Sequence, residues 1–366
     1  MTRSWPRLAA RMVLACGGGA ILVAATAGPA AAHGVEPGST VPRPAFLGLL
    51  LDWHFDPMVV LPLVAAAALY LRGVRRTRER DRPWPKTRTA WFLAGLVVLE
   101  IALQSALDTY DVVVFSVHAA QHMLLTVVAA PMLVLGAPMS LLLLTGPRTL
   151  RQRVVGIVHS PPVRVLGHPL LAWIIFTVTL YGLYFSPLFD LSLRNELVHK
   201  LVHVHFLASG LLFWWPIVAR DPSRWRLHPL GRLGMLFLNV PYHAFLGVAI
   251  LYGNRLLAPT LADFDRSWGP SPLEDQRLGG ALLWGMGEVV ALAGILGVLI
   301  AWANYDQKEA RRVDRRLAQT RAAQPNGSSL VKRASAGESA PALPQAPPPP
   351  ANSDAARGVS GNGQEG

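Results

Sequence analysis

Residues 114–136 read VFSVHAAQHMLLTVVAAPMLVLG, and this stretch decides the class of fold. It contains no Asp, Glu, Lys or Arg, and at about 1.5 Å per residue a helix of this length crosses about 30 Å of hydrocarbon. The same stretch places His118 and His122 four residues apart, so both imidazoles lie on one face of the helix. We therefore predict a membrane-spanning helix that presents two histidines to the interior of a bundle.

Further apolar runs of spanning length predict an all-α, polytopic bundle of about seven transmembrane helices. Their approximate limits are residues 54–72, 90–107, 114–136, 168–186, 198–218, 233–253 and 279–302. The apolar stretch around the third helix continues to Leu144 and carries Pro131 and Pro138, which predicts a re-entrant or interfacial turn at its end. The connecting segments alternate between Arg-rich and acidic. Because cationic loops stay in the cytoplasm, we expect the N-terminus outside and the C-terminus inside.

The composition agrees with a bilayer as the solvent of this chain. Of its 366 residues, 52% are hydrophobic and only 15% are charged, a balance that ordinary soluble domains do not have. The net charge of +12 reflects the Arg-rich loops, so no nucleic-acid partner is expected. The single cysteine, Cys16, excludes a disulfide framework and a cysteine metal site. Any metal must therefore be held by His, Met or carboxylate groups.

The chain divides into four predicted segments. Arg3, Arg7 and Arg11 precede an apolar run and then small residues at 30–32, which is typical of a cleaved signal peptide over residues 1–32; an uncleaved anchor is the alternative. We expect an extracytoplasmic segment at 33–53 and the membrane domain at 54–303. Residues 304–366 should form a cytoplasmic tail, basic at first and then rich in Pro, Ala and Gly and disordered. This order is that of a multi-pass protein of the plasma membrane.

A second histidine pair lies in the predicted fifth span, where residues 196–206 read ELVHKLVHVHF. His199 and His203 repeat the four-residue spacing, at a depth similar to that of the first pair. Imidazole binds Cu, Zn, Fe and Ni, so two such pairs predict a metal site between two helices. His205 is a further candidate ligand, although it stands about 200° round the helix from His203. The residues alone leave copper and haem iron as candidates.

Three more residues could add metal ligands. His54 lies at the outer end of the first span, and Met123 offers a thioether, which favours Cu(I). Signal cleavage after residue 32 would make His33 the N-terminus, where its amine and imidazole could bind copper together. Deeper in the membrane, three polar residues carry either a function or hydrogen bonds between helices: Glu100, His243 and Glu288.

Three long runs carry a resemblance to a known family: SVHAAQHMLLTVVAAPMLVLGAPMSLLL, LRNELVHKLVHVHFLASGLLFWWPIV and SPLEDQRLGGALLW. Over about residues 45–303 the chain resembles the CtaG-like assembly factors of caa-type cytochrome c oxidase. The resemblance implies a polytopic protein that assembles the oxidase and helps copper to reach it, with oxidase subunits and an extracytoplasmic copper chaperone as partners. Besides the two histidine pairs, it singles out Gln121, Pro272, Asp275, Gln276 and Gly279.

These observations lead to a functional hypothesis. Outward-facing His and Met ligands would take copper, as Cu(I), from an extracytoplasmic donor and pass it to a nascent oxidase subunit in the same membrane. Such a protein is a metallochaperone and not an enzyme. Three alternatives remain: a copper transporter of the inner membrane that uses His243 and Glu288, a b-type haem cytochrome with axial histidine pairs, and a scaffold without metal.

Overall fold

The structure is a computed structural model that describes residues 41, 43, 53, 55–218, 221, 225 and 227–323, with side chains up to residue 320. The signal peptide predicted at 1–32 lies outside the described residues. So do the candidate ligands His33 and His54, most of the predicted extracytoplasmic segment, and the tail beyond residue 323.

The described part of the chain is built from helices and loops and contains no β-strand, which confirms the predicted all-α class. Helices are the expected solution for long apolar runs in lipid, because they satisfy every backbone N–H and C=O within one segment. The α-helices are α1 (Pro57–Glu79), α2 (Lys86–Gln104), α3 (Ala106–Tyr110), α4 (Phe115–Met123), α5 (Ala130–Leu135), α6 (Pro138–Thr145), α7 (Arg148–Val158), α8 (Pro161–Leu166), α9 (Pro169–Tyr184), α10 (Leu188–Arg194), α11 (Glu196–Val218), α12 (Pro229–Leu251) and α13 (Pro272–Ala323).

Six stretches of helix among the described residues are long and apolar enough to cross a membrane. They are Pro57–Glu79, Lys86–Tyr110, Phe115–Thr145, Glu196–Val218, Pro229–Leu251 and Pro272–Thr320. Each overlaps one of the predicted spans. The remaining predicted span, at 168–186, corresponds to α9 followed by α10, which bend by 67° at the break between them. A seventh crossing at this bent pair, like the orientation of the termini, stays a prediction.

The third span is not a uniform α-helix. After α4 the chain forms a π-helical segment at Leu124–Ala129, and α5 follows directly. Pro131 has no N–H for the carbonyl four residues before it, and the wider hydrogen bonds of the π-helical segment accommodate that loss. Ala137 then takes a left-handed conformation with φ of 51°, and α6 begins at Pro138. The chain therefore turns at residues 136–137, near the end of this span.

Helix α11 packs closely against the π-helical segment. A Cβ atom added to Gly210 would lie 2.8 Å from the carbonyl oxygen of Thr126. The indole Nε1 of Trp214 donates a hydrogen bond to that same oxygen at 3.0 Å. A π-helical turn leaves carbonyl groups free for such bonds. These contacts hold α11 against the third span, which is the arrangement that two facing histidine pairs require.

Two apolar cores stabilise the bundle. The main core surrounds α4, α9 and α11 and includes Phe115, Phe176, Phe206 and Phe213. The second core lies between α1, α2, α5 and α6. The chain divides into two compact units, one up to Ala303 and one from Asn304 onward. In the second unit, residues 304–320 are helical and exposed.

Candidate metal centre

The two histidines of α4 lie side by side in the interior of the bundle. The ring centroids of His118 and His122 are 4.1 Å apart, as expected for positions four residues apart on a helix. Both side chains are fully buried. Helix α4 starts after Val114 and continues into the π-helical segment, so both histidines lie between the helix start and the point where α11 comes closest.

The histidines of α11 meet them from the opposite side. His199 and His203 have ring centroids 4.3 Å apart. Across the gap, the His118 and His199 centroids are 5.7 Å apart and those of His122 and His203 are 5.4 Å apart. Four imidazoles from two spans thus form two facing pairs. The structure therefore places next to one another the four histidines that the sequence predicts for a site between two helices.

Asp111 adds a carboxylate to this group. Its Oδ2 lies 2.7 Å from Nε2 of His199 and 3.7 Å from Nε2 of His203. Together the three residues offer ligand atoms that all lie within 4.8 Å of one another, and all three side chains are buried. We refer to Asp111 and the four histidines as the His–Asp cluster. An N/O donor set of this kind suits Cu and Zn.

Sequence reasoning did not include Asp111 in this group, because an acidic residue in a loop between two spans was interpreted only as a sign of topology. One available signal was its position just before the helix that carries His118 and His122. A carboxylate next to a helix start can fold back over the first turn of that helix. Here the buried Asp111 carboxylate lies against His199 of α11 instead of solvent.

Several ring nitrogens in the cluster have no hydrogen-bond partner within the described part of the chain. These are both nitrogens of His118 and Nε2 of His122. The surroundings are apolar: the rings of Phe189 and Phe206 lie 4.9 Å from His118 and 4.2 Å from His122, between centroids. A buried polar atom without a partner is unfavourable and rare in native proteins. Such atoms call for an explanation, and a bound cation is one.

Tyr184 borders the cluster from α9. Its hydroxyl lies 3.5 Å from Nδ1 of His122, at the outer limit of a hydrogen bond. The Tyr184 ring is fully buried and also contacts Phe115. Helix α9 therefore covers one side of the cluster. Its polar contact with His122 is the Tyr184 hydroxyl.

His205, proposed as a ligand from the sequence, lies elsewhere. Its Nε2 is 2.9 Å from the hydroxyl of Thr179, and the residue is exposed on the surface of the bundle. Two residues after His203 the helix has turned by about 200°, which directs this imidazole away from α4. Met123 is fully buried in the main apolar core. The structure thus gathers the two histidine pairs but does not add His205 to them.

Gln121 connects the cluster to the second span. Its side-chain amide Nε2 donates to the carbonyl oxygen of Ala102 at 2.9 Å and lies 3.2 Å from Oδ1 of Asp108. Gln121 is fully buried, whereas Asp108 is half-buried. Since Gln121 lies between His118 and His122 in sequence, these bonds fix the rotation of α4 toward α2 and α3.

Asp275 and Gln276, singled out by the resemblance, are buried at the start of α13. Asp275 accepts hydrogen bonds from the backbone N–H of Phe115 and from the hydroxyl of Ser116, both at 2.6 Å. Gln276 accepts from the N–H of Leu257 at 2.8 Å and donates to the carbonyl of Arg255 at 3.0 Å. Neither belongs to the cluster itself. They connect α13 to the start of α4 and to the segment before α13.

The remaining polar candidates lie apart from these contacts. His243 is buried on α12, with its ring centroid 6.0 Å from that of Phe176 and its Nδ1 against Gly287. Neither of its ring nitrogens has a hydrogen-bond partner among the residues described. Glu100 and Glu288 are half-buried on α2 and α13. A functional role for these three residues stays a prediction.

Comparison with known proteins identifies relatives of this chain. The sequence model of the cytochrome c oxidase caa3 assembly factor family (Caa3_CtaG) matches residues 68–305. Uncharacterized proteins of Mycobacterium bovis and Mycobacterium tuberculosis are each 34% identical over 287 residues, which cover 76% of this chain and 43% of theirs. One of Mycobacterium leprae is 34% identical over 277 residues, with 72% and 41% covered. The chain therefore spans less than half the length of these relatives. No solved structure is similar to it.

Proposed function

This chain belongs to the cytochrome c oxidase caa3 assembly factor family, and we propose that it serves oxidase assembly by binding copper in the His–Asp cluster and delivering it. The observation that carries the proposal is the state of the buried imidazoles. His118 and His122 hold ring nitrogens without a hydrogen-bond partner in the described chain, and they face a carboxylate with two further histidines. A bound metal ion would give a ring nitrogen of each imidazole the partner that it lacks.

The donor chemistry favours copper over a hard cation. Four imidazoles and one carboxylate match the preferences of Cu and Zn, whereas Mg and Ca prefer sites made of oxygen alone. Oxidase assembly requires copper as cargo, so copper is the proposed metal. The imidazoles suit Cu(I), and the Asp111 carboxylate adds a ligand that suits Cu(II). The thioether of Met123 lies in the apolar core and is not needed for this assignment.

The arrangement of the ligands suits exchange. His118 faces His199 and His122 faces His203, so the cluster offers more donors than a copper ion uses at one time. An ion could be released by replacing one ligand after another, with intermediates in which donor and acceptor proteins share it. Both pairs lie toward the N-terminal ends of α4 and α11. With the predicted orientation, these ends face outward, toward an extracytoplasmic copper chaperone and the copper-binding subunit of the oxidase.

No bond in a substrate is made or broken in this proposal. Copper enters and leaves as an ion, and the protein contributes ligands and a closed environment. The role is therefore that of a metallochaperone and not of an enzyme. The relatives contain more than twice the sequence matched here, so activities located in their further segments are not part of the proposal.

The haem alternative fits the geometry poorly. Axial ligation of one haem places the porphyrin between two imidazoles. In the cluster, centroids on the two facing helices are only 5.4 and 5.7 Å apart, and Phe189 and Phe206 occupy the adjacent space. A porphyrin would have to displace these rings and separate α4 from α11. The absence of a Soret band from the purified protein would agree with this argument, and its presence would overturn it.

The test compares metal content in matched variants. The full-length chain is purified in lipid nanodiscs after growth with copper, and copper and zinc are quantified by mass spectrometry. We expect wild type to carry copper, and His122→Ala and His203→Ala to lose most of it. His205→Ala is the control, because this imidazole lies on the same helix outside the cluster. Copper occupancy of the oxidase in the same cells should fall in parallel. Equal copper in wild type and both cluster variants would refute the proposal.

A further inference from the structure

Helix α4 begins without a capping side chain of its own. The residue before it, Val114, makes no side-chain hydrogen bond to the first turn. The first amide groups of a helix need acceptors, and a buried start without them is unfavourable. The acceptor comes instead from a residue 160 positions away in sequence, Asp275, whose Oδ2 receives the N–H of Phe115 at 2.6 Å.

Asp275 holds the start of α4 with both carboxylate oxygens. While Oδ2 binds the backbone of Phe115, Oδ1 accepts the hydroxyl of Ser116, also at 2.6 Å. Such bidentate binding fixes both the position and the rotation of the helix start, because two neighbouring residues are held by one rigid group. The guanidinium of Arg266 lies 3.9 Å from Asp275, and both side chains are almost fully buried. The carboxylate is thus charge-compensated and can remain in this apolar setting.

A second contact joins the same two helices one turn further on. A Cβ atom added to Gly279 would overlap the Phe115 ring at its Cδ1 and Cε1 atoms. Gly279 therefore lets α13 lie directly on that ring. The Phe115 ring in turn stacks near His118, with centroids 6.4 Å apart. Through Phe115, α13 controls both the backbone and the ring that border the first histidine of the cluster.

From these contacts we propose that Asp275 is a positioning residue of the metal site, and that it sets the location of His118 and His122 relative to His199 and His203 by clamping the start of α4. The inference rests on the proposed function and deepens it. Asp275 touches none of the cluster side chains and acts through Phe115 and Ser116. Its neighbour Gln276 binds the backbone at 255–257, so the clamp also connects the segment before α13 to the site.

The experiment measures metal binding and its spectroscopic signature in full-length variants in nanodiscs. Copper affinity is obtained by competition with a chromophoric chelator, and Co(II) serves as the probe of ligand geometry through its visible absorption bands. Asp275→Asn should weaken copper binding by about 10- to 100-fold, as for other groups that orient metal ligands, and should change the Co(II) bands. Glu274→Gln is the matched control. Glu274 is the neighbouring carboxylate, and within the described part of the chain it accepts hydrogen bonds from Ser271 alone.

Two glycine variants test the same clamp independently. Gly279→Ala should also change the Co(II) bands, because the added methyl group overlaps the Phe115 ring, which lies beside His118, and the ring must shift. Gly285→Ala, on the same helix with nothing within 4 Å of the added Cβ, should match wild type. If Asp275→Asn does not fold, Ser116→Ala takes its place, because it removes only one of the two hydrogen bonds to Asp275. Ser116→Ala should then weaken copper binding and change the Co(II) bands, and unchanged values would overturn the inference.

The outcomes separate this inference from the proposed function. A wild-type protein that binds neither copper nor Co(II) overturns the proposed function and this inference with it. A wild type that binds both, with unchanged affinity and unchanged Co(II) bands in Asp275→Asn and Gly279→Ala, overturns the inference alone. That result would hold even if these variants unfold at a lower temperature, because Asp275 would then have a purely structural role.

Discussion

Replacing Asp111 by Asn tests whether its carboxylate is a ligand or only a neighbour of the histidines. Asn keeps the shape and one oxygen acceptor 2.7 Å from His199 Nε2, but it removes the negative charge. Structural Zn²⁺ sites of zinc-finger peptides, with four ligands, have apparent binding free energies of about 10–16 kcal/mol, and we take them as the scale for a site of this kind. One comparable ligand then contributes roughly 3 kcal/mol, which corresponds to about a 100-fold change in Kd at about 1.4 kcal/mol per tenfold. We therefore expect Asp111→Asn to weaken copper binding by about two orders of magnitude.

Competition with a chromophoric chelator measures this Kd, and thermal unfolding without metal provides the check on folding. Removing the charge of one partner of a buried pair is destabilising, and Asp111 lies 2.7 Å from the buried His199, so metal-free Asp111→Asn should unfold at a lower temperature than wild type while still folding at the temperature of the binding assay. Asp190→Asn is the control, because that carboxylate binds Thr260 and Arg194 and lies outside the His–Asp cluster. A Kd for Asp111→Asn equal to that of wild type would refute the assignment of Asp111 to the metal site.

Two further predictions concern the scaffold of the site. Gly210→Ala should lower copper content and thermal stability together, because its Cβ would lie 2.8 Å from the Thr126 backbone oxygen and force α11 away from the third span; Gly182→Ala, which meets open space, should behave as wild type in both measurements. His243→Leu should leave copper content unchanged and raise or preserve the unfolding temperature, since it removes a buried imidazole without a hydrogen-bond partner in the described chain, a group that costs about 1–3 kcal/mol. Loss of copper loading in His243→Leu would instead support the transporter alternative.

The spans could be predicted from the sequence because a bilayer imposes a simple condition on them. Any helix that crosses it must be apolar over about 20 residues, and this property is visible in the order of residues alone. The limits of the helices shift by several residues where polar groups extend them, as at α1, which continues through an Arg-rich stretch to Glu79. The bend between α9 and α10 was not predicted, because the apolar content stays high on both sides of it.

The site could be predicted only in part, for a different physical reason. A spacing of four residues fixes which side chains are neighbours on one helix, so both histidine pairs were predictable. It carries no information on how two helices are rotated against each other. That rotation depends on Gly210 at the π-helical segment and on Asp275 at the start of α4, contacts between residues far apart in sequence. Spacing along a single helix identifies candidates without showing which face meets a partner, and it gives no information on Asp111, which lies in a loop and reaches His199 from outside α11.

Burying the cluster lowers the stability of the fold, and this loss is an argument for a functional role. Five ionisable side chains are buried between apolar rings, and three of the imidazole nitrogens have no hydrogen-bond partner within the described residues. A bundle selected for stability alone would place apolar groups there, since replacing buried polar clusters by well-packed hydrophobic residues is often stabilising. The surrounding contacts nevertheless keep the histidines buried. The Gly210 approach, the Gln121 bonds and the Asp275 clamp all hold the histidines in place instead of letting them turn toward water. Rigid support around unfavourably buried donors is what a preorganised ligand site requires, and under the proposed function the binding of an ion would offset the energy lost in folding.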